Sequence, residues 1–258
     1  MKILICVKSV PDRHSAFRVN PAGLGYEESK LVFGVNEYDL FAMEEAVRIQ
    51  ERFREAEISA ITVGPDRAEA ALKKAMSLGA SHGVRIDDSS QPAQSALAVA
   101  SLLAAWAKDK KFDLILCGVM SEDLQAGQVG PMLAELLHLP CATTVIAERI
   151  SEDRKTITCE RELEAGMRER VLLPLPALLT VQSGINSPRY ASLTNVLRVK
   201  QMTIPSVPAA SLGQVQNSET TLRAFLPERS ATCEFLQGDP DRIAELLLEK
   251  IRARVPAW

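Results

Sequence analysis

The residues best placed to do chemistry lie in the stretch 113–137, DLILCGVMSEDLQAGQVGPMLAELL. Its apolar run Leu114–Cys117 reads as a strand. A loop over Gly118–Gln125 follows, and then a helix from about Ala126 to Leu137 that Pro140 closes. In α/β sheets, ligands bind at the carboxyl ends of strands. Gly118, Gly127 and Gly130 let backbone approach a ligand closely. Free N–H groups at the start of the helix, near Ala126–Val129, suit a phosphate. Ser121, Asp123, Gln125 and Gln128 carry groups able to read a sugar or a base. The stretch matches neither the Walker nor the Rossmann expression, so on pattern alone it also fits a capped helix after an ordinary loop.

Two more segments point to the same sheet edge. Asn36-Glu37-Tyr38-Asp39 opens a helix, with Asn36 as N-cap and an acid three residues on, a variant of the capping box. Gly64-Pro65-Asp66 ends a strand and turns into a helix. Three strand ends converging on one crevice favour a nucleotide over three independent turns. A separate feature is SGINSPRYASL, Ser183–Leu193, where Ile185, Pro188, Arg189 and Tyr190 mix apolar, rigid and cationic groups typical of interface hot spots. A surface Asn-Ser-Pro turn accounts for that pattern equally well. Other chemistries lack their residues. His14, His82 and His138 have no metal-ligand spacing, no GxSxG elbow exists, and Gly23-Leu24-Gly25 does not sit between strand and helix.

The elements that must position these residues alternate in type. Lys2–Val7, Ile58–Gly64, Gly83–Ile86 and Leu114–Cys117 are short apolar strands buried on both faces. Helices separate them, one from Asn36 to about Arg54 with Leu40, Met43 and Val47 on one face. A second carries Ala68, Ala71, Leu72, Ala75 and Met76 and ends at Gly79, and a third spans Ala93–Lys108. This alternation predicts an α/β fold with a mostly parallel, doubly wound sheet and helices on both faces. After Pro140 the pattern changes to strand-like segments at Thr143–Ile150, Thr156–Arg161, Glu169–Leu173 and Ala177–Gln182, some expected to be antiparallel. The excursion Pro11–Phe33 has no clear periodicity, and long excursions of this kind are often functional. From about Gln201 the chain is rich in Ser, Thr, Pro and Gln until a final helix over Asp239–Val255, where Ile243, Leu246, Leu247 and Ile251 form an apolar stripe. Residues 1–200 are therefore expected to form the nucleotide-binding domain, and residues 201–258 an extension that wraps a partner or the domain itself.

Composition narrows the class. With 30 Lys+Arg against 33 Asp+Glu, the 258-residue chain has a net charge of -3 and no basic field for nucleic acid. Aromatics at 5% leave no stacking platform for single strands. No apolar run approaches the roughly 20 residues that span a bilayer, and the charged opening MKILICVKSVPDRH is too short for a signal peptide. Five cysteines, an odd and irregularly spaced set, read as reduced thiols of a cytoplasmic protein.

Several segments together resemble the beta subunit of electron transfer flavoproteins. They are KILICVKSVPD, NEYDLFAMEEAVRI, ITVGPDRAEAALKKAMSLGA, CGVMSEDLQAGQVGPMLAELLHLP, CERELEAGM and above all GINSPRYASLTNV, the family's signature. The likeness runs to about residue 200 and weakens beyond it. It implies a fold similar to that of the adenine-nucleotide alpha-hydrolases and pairing with a homologous alpha subunit. It implies a structural AMP in this chain and an FAD held mostly by the alpha subunit, near the interface. It also implies an electron carrier rather than an enzyme. Such a carrier takes electrons from acyl-CoA or similar flavin dehydrogenases, as in fatty acid oxidation, and passes them to an acceptor such as a membrane quinone oxidoreductase.

Carried over by position, the resemblance places the nucleotide pocket on Cys6, Asn36, Glu37, Tyr38, Asp39, Val63 and the loop Ser121–Met132, within it Ser121, Asp123, Gln125, Ala126, Gly127, Gln128, Val129 and Met132. The backbone at Ala126–Val129 would hold the phosphate, with Cys6 and Val63 flanking the adenosine. Arg13 stands where some members carry a tyrosine near the flavin, and Arg168 where some carry an acid. The partner-recognition loop falls on Ser183, Ile185, Pro188, Arg189, Tyr190 and Leu193. Ser183 replaces an anchoring leucine found in some members, and Ile185 is the candidate substitute. Electron-bifurcating relatives hold a second FAD in place of AMP and carry small residues where this loop has Leu124 and Gln125, which favours AMP here. A nucleotide-binding module of the stress-protein class shares the sheet but leaves GINSPRYASL and the tail unexplained.

Overall fold

The structure is a computed structural model that describes residues 1–90, 95–214, 216–227 and 233–255. Eleven strands lie among these residues: β1 (Lys2–Cys6), β2 (Ser9–Pro11), β3 (Phe33–Val35), β4 (Glu57–Val63), β5 (His82–Asp87), β6 (Leu114–Gly118), β7 (Cys141–Ile150), β8 (Thr156–Glu162), β9 (Arg168–Pro174), β10 (Ala177–Val181) and β11 (Ser206–Pro208). The helices are α1 (Glu37–Arg52), α2 (Ala68–Leu78), α3 (Ala96–Ala107), α4 (Val129–Leu136), α5 (Leu193–Lys200) and α6 (Pro240–Arg254). Nine strands form one sheet in the order β11-β5-β4-β1-β6-β10-β7-β8-β9. Pairing is parallel from β11 to β7 and antiparallel from β7 to β9.

The apolar strands are central because both of their faces need cover. Alternate residues feed two layers. Ile3, Ile5, Leu114, Leu116 and Leu179 pack with Met43, Ile49, Leu72 and Val199 of α1, α2 and α5. Leu4, Cys6, Ile115, Cys117 and Leu178 pack with Leu102, Leu103 and Leu133 of α3 and α4. The chain runs from β1 outward through β4 and β5, then returns through α3 to place β6 on the other side of β1. The reversal between β1 and β6 is the switch point at which such sheets open a crevice.

Three expectations need correction. α4 begins at Val129, not Ala126, because Gln125 and Gly127 hold left-handed backbone (φ 52° and 63°) that a helix cannot contain. Asn36 occupies the N-cap position of α1, but its side chain makes no capping bond. The third helix starts at Ala96 with Ser95 Oγ accepting from the Ala98 N–H at 3.2 Å, and the expected start at Ala93 lies outside the described residues. The strands after Pro140 do complete the sheet, but β10 inserts between β6 and β7, parallel to both. The chain beyond residue 200 first adds β11 to the sheet edge, with Ile204 and Ala209 buried. The excursion after β1 is pinned by the β2–β3 pair. The tail then meets this excursion, with the Ala224 N–H donating to Gly23 O at 2.7 Å.

Candidate functional site

A cavity of about 210 Å³ opens at the carboxyl ends of β1, β4 and β6. Cys6, Val7 and Lys8 enter it from β1, Ile61, Thr62 and Val63 from β4, and Cys117–Ser121 from the end of β6. Asn36 and Asp39 reach it from the start of α1, and Leu124 and Ala126–Gly130 from the loop before α4. One observation marks it as a polar ligand site. The backbone N–H groups of Ala126, Gly127, Gln128 and Val129 have no acceptor among the described residues. Unused donors at a helix N-terminus suit an anion.

The side chains around the cavity brace the loop. Asn36 Nδ2 donates to Met120 O at 2.9 Å, and Asn36 Oδ1 accepts from the Glu122 N–H at 3.0 Å. Glu122 in turn accepts from the Glu37 N–H at 3.1 Å, so a carboxylate from the β6 loop caps α1 in place of Asn36. Asp39 is buried and accepts from the Lys8 N–H at 2.7 Å and the Gly118 N–H at 3.1 Å. Burial outweighs these donors and pushes its carboxyl up to about 7. Lys8 Nζ donates to Ser121 Oγ at 3.1 Å and to Asp123 Oδ1 at 2.7 Å. Burial opposes ionisation of Asp123, but the Lys8 bond and charge prevail and hold it below the usual range. Gly118 is needed for contact, since a Cβ there would stand 2.5 Å from Asp39 Oδ1 and 2.8 Å from the Tyr38 carbonyl carbon.

The segment Ser183–Leu193 is held on α1. Glu44, itself buried, accepts from Arg189 Nε at 2.8 Å, Arg189 Nη2 at 2.9 Å and the Arg189 N–H at 3.2 Å. Glu51 accepts from Arg189 Nη1 at 2.6 Å. Asn186 Nδ2 donates to Phe41 O at 3.0 Å and to the buried Glu45 at 2.9 Å. Ile185 packs partly against the core, whereas Tyr190 is 95% exposed and Leu193 73% exposed. One half of the segment is thus an anchor and the other a free surface.

Residues 23–212 match the electron transfer flavoprotein domain family. The chain is 32% identical over 237 residues to the electron transfer flavoprotein subunit beta of Methylophilus methylotrophus, covering 89% of this chain and 90% of that one. Against the Bacillus subtilis (strain 168) subunit beta the identity is 34% over 226 residues, 85% and 86% of the two chains. Against the Homo sapiens subunit beta it is 31% over 250 residues, 95% and 96% of the two chains. The chain belongs to the electron transfer flavoprotein beta-subunit family. Membership makes it a subunit of an electron-carrying flavoprotein, which implies an alpha-subunit partner.

The residues expected at the nucleotide pocket of an electron transfer flavoprotein beta subunit divide in two. Cys6, Asn36, Asp39, Val63, Ser121, Ala126, Gly127, Gln128 and Val129 line the cavity. Glu37, Tyr38, Asp123, Gln125 and Met132 do not. Tyr38 packs with its Cβ and backbone against Gly118, and Met132 packs partly buried against the layer under α3 and α4. Glu37 and Asp123 border a separate cleft of about 540 Å³, together with Arg13 and with Phe225 of the tail. Gly64-Pro65-Asp66 stays outside the cavity, which β4 reaches through Ile61–Val63 instead. Sequence reasoning missed Lys8, Thr62, Ser95, Val99, Leu103 and Cys117.

Proposed function

We propose that this chain is the beta subunit of a heterodimeric electron transfer flavoprotein and that its cavity holds a structural AMP. The observation that carries this reading is the run of backbone N–H groups at 126–129, without acceptors among the described residues, at the switch point of the sheet. These donors would take the nucleotide, and Cys6 and Val63 would flank its adenosine. The redox chemistry would come from an FAD held mostly by the alpha subunit, with the cleft that contains Arg13 facing it. The chain's own residues bind and position. Lys8, Ser121 and Asp123 fix the loop, and Asn36 and Asp39 tie it to α1.

In this reading the segment 183–193 docks flavin dehydrogenases of the acyl-CoA or a similar class, with Tyr190 and Leu193 as its exposed contacts. A membrane quinone oxidoreductase is the acceptor, and the complex works in the cytoplasm. No described helix is long and apolar enough to cross a membrane. The deciding experiment is the ligand content of the purified alpha–beta complex. FAD and AMP in equal amounts are expected. FAD at twice the dimer concentration with no AMP would support an electron-bifurcating relative instead, and a complex without adenine nucleotide would overturn the reading of the cavity.

A further inference from the structure

Two thiols meet in the floor of this cavity. Cys6 ends β1, and Cys117 lies in β6 one position past the paired residues Ile5 and Leu116. Neighbouring strands stand about 4.8 Å apart, inside the Cα separations that a disulfide accepts. Both side chains join the layer under α3 and α4, both line the cavity, and the strand register sets them side by side. The other described thiols are badly placed for either one. Cys141 lies on β7 with β10 between it and β6, Cys159 is on the next strand out, and Cys233 is exposed in the tail.

We propose that Cys6 and Cys117 are a paired-thiol modification site, which small disulfides entering the empty cavity oxidise to an intramolecular disulfide and which a bound nucleotide shields. Only the shielding rests on the nucleotide reading above. Cys6 is the more accessible thiol, 9% against 5% exposed. As thiolate it attacks one sulfur of the reagent and breaks its S–S bond. The departing reagent thiolate takes up the proton that Cys6 released. Cys117 then gives up its proton and attacks Cys6 Sγ, forming the protein disulfide and expelling the second reagent thiol. Two protein thiols are oxidised and one small disulfide is reduced to two thiols. The neighbouring Cys6 thiol and burial push the Cys117 thiol well up, so the second step is slow and the adduct on Cys6 accumulates first.

The test treats the alpha–beta complex, after nucleotide removal, with hydroxyethyl disulfide and maps its peptides by mass spectrometry. The expected products are a Cys6 adduct followed by linked Cys6 and Cys117 peptides. Saturating AMP is expected to slow the linkage about tenfold, and the linked protein to bind AMP about tenfold more weakly until dithiothreitol restores it. In Cys117→Ser the adduct on Cys6 forms and no link follows. Both thiols remaining free, or a link through another cysteine, overturns the proposal. AMP that binds yet leaves the linkage rate unchanged overturns the shielding. AMP that fails to bind the reduced complex overturns the nucleotide reading, while the peptide map still decides the thiol pair.

Discussion

At the scale of single residues, Thr62 shows what an unmet hydroxyl costs the fold. Its buried hydroxyl has no partner among the described residues, and an unmet polar group of that kind costs about 1 kcal/mol or more. Thr62→Val is therefore expected to raise the stability of the chain by about 1 kcal/mol. Urea melts read the effect. Asp39 gives a pH signature. Its carboxyl titrates near 3.8 when unfolded and at about 7 when folded. From about pH 4 to 7 the folded chain keeps a proton that the unfolded chain has lost, so stability falls as pH rises, by at most roughly 1.4 kcal/mol per unit, and levels off above 7. Glu148, which burial also raises to about 7 beside Arg52, adds a slope of the same sign. The measurement is thus the difference between wild type and Asp39→Asn, which should shift in the variant's favour across that window. Little of this was legible in the sequence. A threonine in an apolar strand looks like ordinary β propensity, and a lysine after a strand has many uses until Asp123 is seen against it.

At the scale of elements, α1 serves two places at once. Its first turn meets the cavity through Asn36 and Asp39, and its later turns hold the segment 183–193 through Phe41, Glu44, Glu45 and Glu51. Arg189→Ala would leave buried Glu44 with its charge uncompensated. A loss of about 1–3 kcal/mol is expected, moderated because the Arg189 side chain is 40% exposed. Tyr190→Ala, at a 95% exposed site, should change stability by less than about 0.5 kcal/mol. Its effect should appear instead as a raised KM for the donor dehydrogenase. Equal destabilisation by both variants in urea would refute this division of the loop. The helices and inner strands were readable because their periodicity is local and their apolar faces must be covered. The start of α4 was not, because the left-handed backbone at Gln125 and Gly127 is set by the loop's ties to α1 and β1. Asn36 was misread for a similar reason: its amide is used 84 residues away, at Met120.

At the scale of the molecule, the chain beyond residue 200 has two parts with different duties. The first adds β11 and buries Ile204 and Ala209. The last helix, α6, buries no residue of its own, and Leu247 and Leu248 are each 49% exposed. Deleting the chain from Gln214 should leave thermal unfolding close to that of the full chain and abolish capture of the alpha subunit. Deleting it from Gln201 should cost at least about 2 kcal/mol, because an isoleucine leaves the interior and the β5 edge is bared. Pull-down and calorimetry on the two truncations distinguish these outcomes. Neither β11 nor the place of β10 could be read in advance, since pairing between distant strands leaves no local pattern. The place of β10 carries a consequence for how the protein is made. It is buried throughout and fills the slot between β6 and β7, yet it leaves the ribosome after both of them and after β8 and β9. The half of the sheet that forms the cavity can assemble while translation continues. The β7–β9 meander must wait unanchored until Ala177–Val181 emerge, so a pause in elongation just before that strand would prolong the nascent chain's exposure to chaperones and to aggregation.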